Sequence, residues 1–219
     1  MIEAPSRPSW HDLADALAAG IERASAEVEL EQAVHGLDTR SELELHPLLH
    51  DALRAAGHGV HPEQRFPRDR AKRRRSEGSR CDIVVTPAGL PLDGGEAQPD
   101  LFAPKIAVPL AEAIWIEVKA VAQFRAEGPS RSYAAALQRP VWRDVDKLAQ
   151  DPEIRHAAVL LILFTADAVV ADHDLEVWAI HAGRRGLPLW PRVSRSVAIG
   201  DRLGNRLCTA ALFPIERIG

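Results

Sequence analysis

Residues 111 to 124, AEAIWIEVKAVAQF, form an apolar run with two charged residues near its centre. The run predicts a buried strand over residues 114 to 121, yet it contains Glu117 and Lys119. Because side chains alternate along a strand, Glu117 and Lys119 project from the same face, together with Trp115. An unpaired charge in such a strand is costly, so both charges need compensating partners.

A second candidate strand, CDIVVT, supplies one such partner. Asp82 is its only acid and is followed by Ile83, Val84 and Val85. If the two strands pair, Asp82 converges on Glu117. Two adjacent carboxylates repel each other, and a shared proton, a bound cation or a nearby lysine would relieve that repulsion.

The remaining pattern predicts an α/β fold with a mixed central β-sheet flanked by helices. A chain of 219 residues, 46% of them hydrophobic, is long enough to bury one sizeable core. Helical spacing covers residues 9 to 37, with Ser9 as its cap, and a second helix starts after Thr39 or Ser41. Further predicted elements are an extended piece at 60–66, a long insertion at 86–110, a helix over 133–150 interrupted at Pro140, the buried strand AAVLLILFT, the helix ADAVVADHDLEVWAIHAG, and a C-terminal β-hairpin turning at Gly204 and Asn205.

Positive charge is concentrated in one segment, RFPRDRAKRRRSEGSR, at residues 65 to 80. Seven Arg and one Lys face two acids there, a local charge of +6 in a chain whose net charge is −4. Such a segment is typical of contacts to nucleic-acid phosphates, although a solvated loop would have the same composition. The candidate phosphate-binding residues in it are Arg70, Lys72, Arg73, Arg74 and Arg75.

The apolar runs and the cysteines favour a cytoplasmic protein with no membrane partner. The longest apolar run, AAVLLILFTADAVVA, is interrupted by Thr165 and Asp167 and falls short of the roughly 20 residues that a membrane helix needs. The first residues lack the basic end and apolar centre of a signal peptide. Cys81 and Cys208 form neither a disulfide framework nor a zinc spacing, which indicates a reducing compartment.

The stretches CDIVV and IWIEVKA resemble the PD-(D/E)xK nuclease superfamily, which has the restriction-endonuclease-like fold. The family pattern implies an Asp at the start of one strand and Glu-x-Lys on the next, here Asp82, Glu117 and Lys119. Cys81 stands where the motif is named for a proline, a residue that is often absent. The resemblance covers about residues 39 to 182, so the expected domains are an N-terminal helical extension at 1–38 and a nuclease-like domain at 39–219.

Many members of this superfamily also place a glutamate on the helix before these strands. Glu42 is the better candidate here, because it precedes Leu45 and Leu49 by three and seven residues and shares their inward stripe. Glu44 is the second choice.

The resemblance implies a nuclease that depends on Mg²⁺ or Mn²⁺. Asp82, Glu117, the main-chain carbonyl of Val118 and Glu42 would be the metal ligands. Lys119 would position the attacking water, assist its deprotonation or stabilise the charge of the transition state. DNA is the favoured substrate, with endonucleolytic cleavage in restriction, phage defence or repair, and the expected assembly is a homodimer or a subunit of a larger complex.

Two other interpretations stay open at this point. The charged residues could form a cross-strand ion pair with no catalytic role. The chain could also be a nucleic-acid-binding or assembly subunit on the same fold, either non-catalytic or activated by a partner.

Two pairs of residues elsewhere have helical spacing. Arg143 and Lys147 lie four residues apart and are candidates for contacts to the nucleic-acid backbone, although such pairs often face solvent. His46 and His50 have the spacing of a metal pair. No third ligand follows at a recognisable zinc spacing, and Pro47 fits only in the first turn of this helix, so both histidines are interpreted as surface or core residues.

Overall fold

The computed structural model describes residues 7–70, 78–93 and 107–216. Its strands are β1 (Gly59–Arg65), β2 (Arg80–Thr86), β3 (Ile114–Ala122), β4 (Phe124–Arg125), β5 (Gly128–Pro129), β6 (His156–Thr165), β7 (Val193–Ala198) and β8 (Leu207–Pro214). Its helices are α1 (Trp10–Leu30), α2 (Glu42–Ala55), α3 (Tyr133–Ala136), α4 (Arg139–Ala149) and α5 (Ala168–Arg184).

Six of these strands form one mixed sheet in the order β1-β2-β3-β6-β8-β7. The β3–β6 pair is parallel, and the other neighbouring pairs are antiparallel. The predicted α/β class and mixed central sheet are therefore confirmed. The two-stranded β4–β5 ribbon follows β3 directly.

Helices cover both faces of the sheet, and each face has its own apolar core. Trp115 belongs to the core that includes α4 and α5, whereas Ile116 belongs to the core that includes α1 and α2. This alternation along β3 confirms the expected orientation of its side chains. β6 lies in the middle of the sheet and is buried at every residue except His156, as its continuous apolar sequence predicts.

The start of α2 determines which glutamate faces the sheet. Ser41 caps the helix, and Glu44 completes a capping box by accepting a hydrogen bond from the Ser41 amide at 2.7 Å. Because the cap engages Glu44, Glu42 is the acid of this turn that reaches the strands. Pro47 is the sixth residue of α2 and not in its first turn, which corrects the expectation from sequence.

α1 packs across α2 at a close crossing. Ser9 caps α1 as predicted, but the helix ends at Leu30, earlier than its spacing suggested. A Cβ atom at Gly20 would lie 2.2 Å from the Cβ atom of Ala52, so glycine is what allows the two helices to approach. Leu13 and Leu17 share a core with Leu45 and Leu49. The division of the chain at residue 38 stays a prediction.

The C-terminal hairpin is confirmed and completes the sheet. Gly204 in its turn has a φ of +109°, a conformation that favours glycine. The next residue, Asn205, is fully buried and donates to Asp38 at 2.8 Å, and its side-chain oxygen accepts from the Phe124 amide at 3.0 Å. Asn205 thereby connects the hairpin to the chain before α2 and to the chain after β3.

Two sequence predictions fall largely outside the described residues. Lys72, Arg73, Arg74 and Arg75 lie there, as does most of the long insertion, of which a bridge between Leu92 and Val108 is described. Among the helices that are described, none has the length and apolar character needed to cross a bilayer.

We predict that Gly20→Ala destabilises the protein by about 1–3 kcal/mol, because the added methyl group forces α1 and α2 apart. This loss outweighs the gain of up to about 1 kcal/mol in helix propensity. Urea denaturation of the single and double variants measures both effects. Ala52→Gly should restore part of the stability when combined with Gly20→Ala, and a neutral Gly20→Ala variant would contradict the close crossing.

Candidate active site

The candidate site lies where β2 and β3 separate. Their ladder pairs Ile83 with Ile116 and stops there, one position before Asp82 would lie opposite Glu117. Beyond this point the amide of Val118 donates a hydrogen bond of 2.7 Å to Oδ2 of Asp82. The strands pair as expected, and Asp82 contacts β3 through its side chain.

Glu117 is a buried carboxyl group, with 2% of its surface exposed. Burial and the nearby Asp82 raise its pKa to about 9, although Lys147 acts in the opposite direction. The Lys147 amine makes a short contact with Oε1 of Glu117 and donates to the Arg80 carbonyl at 3.2 Å. Burial and Asp82 therefore favour the protonated form of Glu117, and Lys147 favours its carboxylate form.

Lys119 connects the strands to helices on both faces of the sheet. Its Nζ atom donates to Oε1 of Glu42 at 2.9 Å and to the Val118 carbonyl at 2.8 Å, and it lies 3.4 Å from Oδ2 of Asp144. Burial alone would lower the pKa of Lys119, but its bond to Glu42 and the charges of Asp144 and Glu42 raise it above its usual value. Lys119 thus stays positively charged.

Glu42, predicted from the stripe of α2, reaches the site. One carboxylate oxygen pairs with Lys119, and the other accepts a hydrogen bond of 3.1 Å from the Ala120 amide. Glu44, by contrast, is exposed and engaged in the cap of α2. Of the two alternatives, Glu42 is the one that contacts β3.

α4 contributes two residues that the sequence analysis did not place in the site. Asp144 is part-buried, and its pKa is raised by burial against the opposing effect of Lys119 and Lys147. The signal for Asp144 was present in the sequence, since it falls on the inward stripe of Val141, Val145 and Leu148.

Lys147 was predicted to contact a nucleic-acid backbone together with Arg143, and the structure separates the two residues. The Lys147 amine lies inside the site against Glu117 and over the Phe66 ring, 4.6 Å from its centroid. Arg143 is exposed and lines a depression with Trp142 and Arg185. The predicted shared face is therefore not observed.

His46 lies closer to the acidic residues than the sequence analysis expected. It is buried, and one of its ring nitrogens lies within 4.8 Å of carboxylate oxygens of Glu63 and Asp82. His50 is also buried, which lowers its pKa to about 4. Both are buried, which agrees with their interpretation as core residues, and His46 has two acidic neighbours that no sequence spacing indicated.

The predicted donor set offers carboxylate oxygens of the kind that a hard divalent cation binds, but in the described residues these oxygens already contact lysines or backbone amides. Four carboxyl groups, from Glu42, Asp82, Glu117 and Asp144, converge on two lysines, and carboxylate oxygens are the ligands that Mg²⁺ and Mn²⁺ accept. Asp82, Glu117, the Val118 carbonyl and Glu42 are the residues that could hold such an ion. Burial, and to a lesser extent the charge of Asp82, raise the pKa of Glu117.

A cavity of about 530 Å³ opens beside Glu42. Arg40 and Arg125 contribute cationic side chains to its lining, and Asp38, Glu42, Glu44 and Glu127 contribute acidic ones. The charge of this cavity is therefore mixed.

In comparisons with known proteins, no family model, no curated protein and no solved structure matches this chain.

We predict that Glu117→Gln makes the fold less sensitive to alkaline pH. The pKa of Glu117 is about 9 in the folded protein, against 4.5 for a glutamate side chain in water. Between these pH values the folded state therefore binds more protons than the unfolded state, and the protein loses stability as the pH rises. The advantage of the variant over the wild type should grow by at least about 1.4 kcal/mol between pH 5 and pH 9, the equivalent of one pKa unit.

Urea denaturation at a series of pH values measures this difference. Glu112→Gln is the matched control, because Glu112 is an exposed glutamate paired with Arg155. A stability difference for Glu117→Gln that stays constant across the pH range would contradict the burial argument.

Proposed function

We propose that this chain is a metal-dependent nuclease of the PD-(D/E)xK type that hydrolyses phosphodiester bonds, with DNA as the favoured substrate and endonucleolytic cleavage as the favoured mode. The observation that carries the proposal is the buried Glu117, one ladder step beyond the last β2–β3 pair, where Asp82 crosses to β3. Lys119 follows on the same face of β3 and stays charged. Acid, acid and lysine in this order are the constellation that the resemblance implies.

Mg²⁺ or Mn²⁺ would be held by Asp82, Glu117, the Val118 carbonyl and Glu42. When bound, such an ion polarises the phosphoryl oxygen and lowers the pKa of a water molecule. Asp82 is already fixed against β3 by its bond from the Val118 amide at 2.7 Å. The chain thus supplies ligands whose positions are set before any substrate arrives.

The environment of Lys119 favours one of its three candidate roles. Because its pKa is raised by Glu42 and Asp144, Lys119 remains an ammonium group, which has no lone pair with which to accept a proton. A fixed positive charge, however, stabilises the negative charge that develops on the phosphate. We therefore assign Lys119 to electrostatic stabilisation and to positioning of the water, and not to its deprotonation.

The resemblance implies an anionic polymer as substrate, and arginines near the site are candidates for contacts to its phosphates. Arg40 and Arg125 line the cavity beside Glu42, and Arg70 and Arg143 remain candidates for phosphate contacts farther out. Contacts from Lys72 to Arg75 belong to residues outside the described part of the chain. A homodimer or larger complex, and a role in restriction, phage defence or repair, stay predictions.

A second candidate function is a binding or assembly subunit on the same architecture. It is favoured by the fact that the two lysines already compensate several carboxyl groups, through the Glu42–Lys119 and Glu117–Lys147 pairs. Such pairs could stabilise the fold without any cation.

Cleavage assays distinguish the two candidates. Plasmid, linear duplex, single-stranded DNA and RNA are incubated with the protein in Mg²⁺ or Mn²⁺, and the wild type is compared with Lys119→Ala. We expect cleavage that requires the metal and falls by about 100-fold or more in the variant, the typical cost of removing one electrostatic contact to the transition state.

Arg155→Ala is the control, because Arg155 makes an exposed ion pair with Glu112 near the opposite end of β3 from Lys119. It should cleave like the wild type. Equal cleavage by Lys119→Ala would refute the assigned site, and no cleavage by a folded protein that binds the metal would favour the second candidate.

A further inference from the structure

A further acidic residue, Glu63, lies on the side of Asp82 that faces away from β3. β1 pairs with β2 so that Pro62 lies opposite Ile83 and Gln64 lies opposite Cys81. Glu63 falls opposite Asp82 in this register, but the ladder skips the position, and Glu63 has a φ of +52°. Adjacent strands thus bring Glu63 and Asp82 together.

His46 approaches the same two carboxylates from α2. It lies one helical turn after Glu42, its surface is 5% exposed, and its Nε2 atom has no hydrogen-bond partner within residues 7–70, 78–93 and 107–216. Leaving a buried polar atom unpaired costs about 1–3 kcal/mol. The ligand atoms of His46, Glu63 and Asp82 lie within 4.8 Å of one another, a separation that one shared ion can span.

We propose that His46, Glu63 and Asp82 bind one divalent transition-metal ion. Two carboxylates match its charge, and an imidazole nitrogen favours Mn²⁺, Co²⁺ or Zn²⁺ over Mg²⁺, which prefers oxygen ligands and water. Three protein ligands leave the remaining coordination positions to water. The site goes beyond the proposed nuclease centre, since His46 and Glu63 are not part of it, and it meets that centre at Asp82.

Because both sites share Asp82, a metal ion in the new site would also affect the position of the Asp82 carboxylate. A metal that binds through His46 and Glu63 reaches a carboxylate that also contacts the Val118 amide. Occupancy of this site therefore fixes Asp82 from the β1 side, while Glu117 and Lys119 remain on the β3 side.

Titration of the full-length chain with Co²⁺ tests this site, because the visible absorption of Co²⁺ reports its protein ligands directly. The wild type should bind Co²⁺ in the presence of excess Mg²⁺. His46→Ala and Glu63→Gln should each weaken this binding by at least about 10-fold, the lower limit of what even outer-shell changes cost at metal sites. Glu63 is exposed, so Glu63→Gln keeps the test valid if His46→Ala fails to fold.

His50→Ala is the matched control for His46→Ala. His50 lies on the same helix, is similarly buried and also has an unpartnered Nε2 atom in the described part of the chain, but it is not among the three grouped ligands. Glu112→Gln is the matched control for Glu63→Gln, because Glu112 is an exposed glutamate outside both proposed metal sites. Both controls should bind Co²⁺ like the wild type.

The outcomes separate this site from the nuclease proposal. Co²⁺ binding that is unchanged in both His46→Ala and Glu63→Gln overturns the site, even if Mg²⁺-dependent cleavage is observed. Co²⁺ binding that depends on His46 and Glu63, in a protein that cleaves no nucleic acid, supports the site and counts against the nuclease proposal alone.

Discussion

The hydrogen bond from the Val118 amide to Asp82 is the interaction on which the site depends. In a regular ladder this amide would donate to a carbonyl of β2, and a buried amide without an acceptor is costly. The Asp82 carboxylate takes the place of that carbonyl at 2.7 Å. β2 and β3 can therefore separate while the Val118 amide keeps a hydrogen-bond acceptor. The separation allows side chains from α2 and α4 to reach the strands.

Lys119 shows why the two helical layers and the sheet form one unit here. It lies on β3, yet its amine contacts Glu42 of α2 and Asp144 of α4. These helices pack on opposite faces of the sheet. The Lys119 ammonium group therefore contacts both helical layers, and the carboxyl groups around it keep it charged.

Local sequence patterns were sufficient to predict the main strands, their order along the chain and part of the site. Alternation and apolar runs predicted β2, β3 and β6, and the stripe of α2 selected Glu42 over Glu44. The contacts of Lys147 with Glu117 and of His46 with Glu63 and Asp82 were not predicted, because they depend on how α4 and α2 pack on the sheet, which no local pattern contains. The contribution of Glu63 depends on a φ of +52°, which a glutamate in the sequence does not indicate.

The position of β8 has a consequence for how the chain can be assembled during translation. β6 pairs with β8 along its whole length from Ala158 to Thr165, but β8 begins at Leu207, about 40 residues after β6 ends. A nascent chain that stops before Leu207 therefore presents β6 as an open apolar edge, the kind of edge that recruits strands from other molecules. β1, β2 and β3 precede this gap, so the residues that bind metal in our proposals are synthesised well before the sheet that supports them is closed.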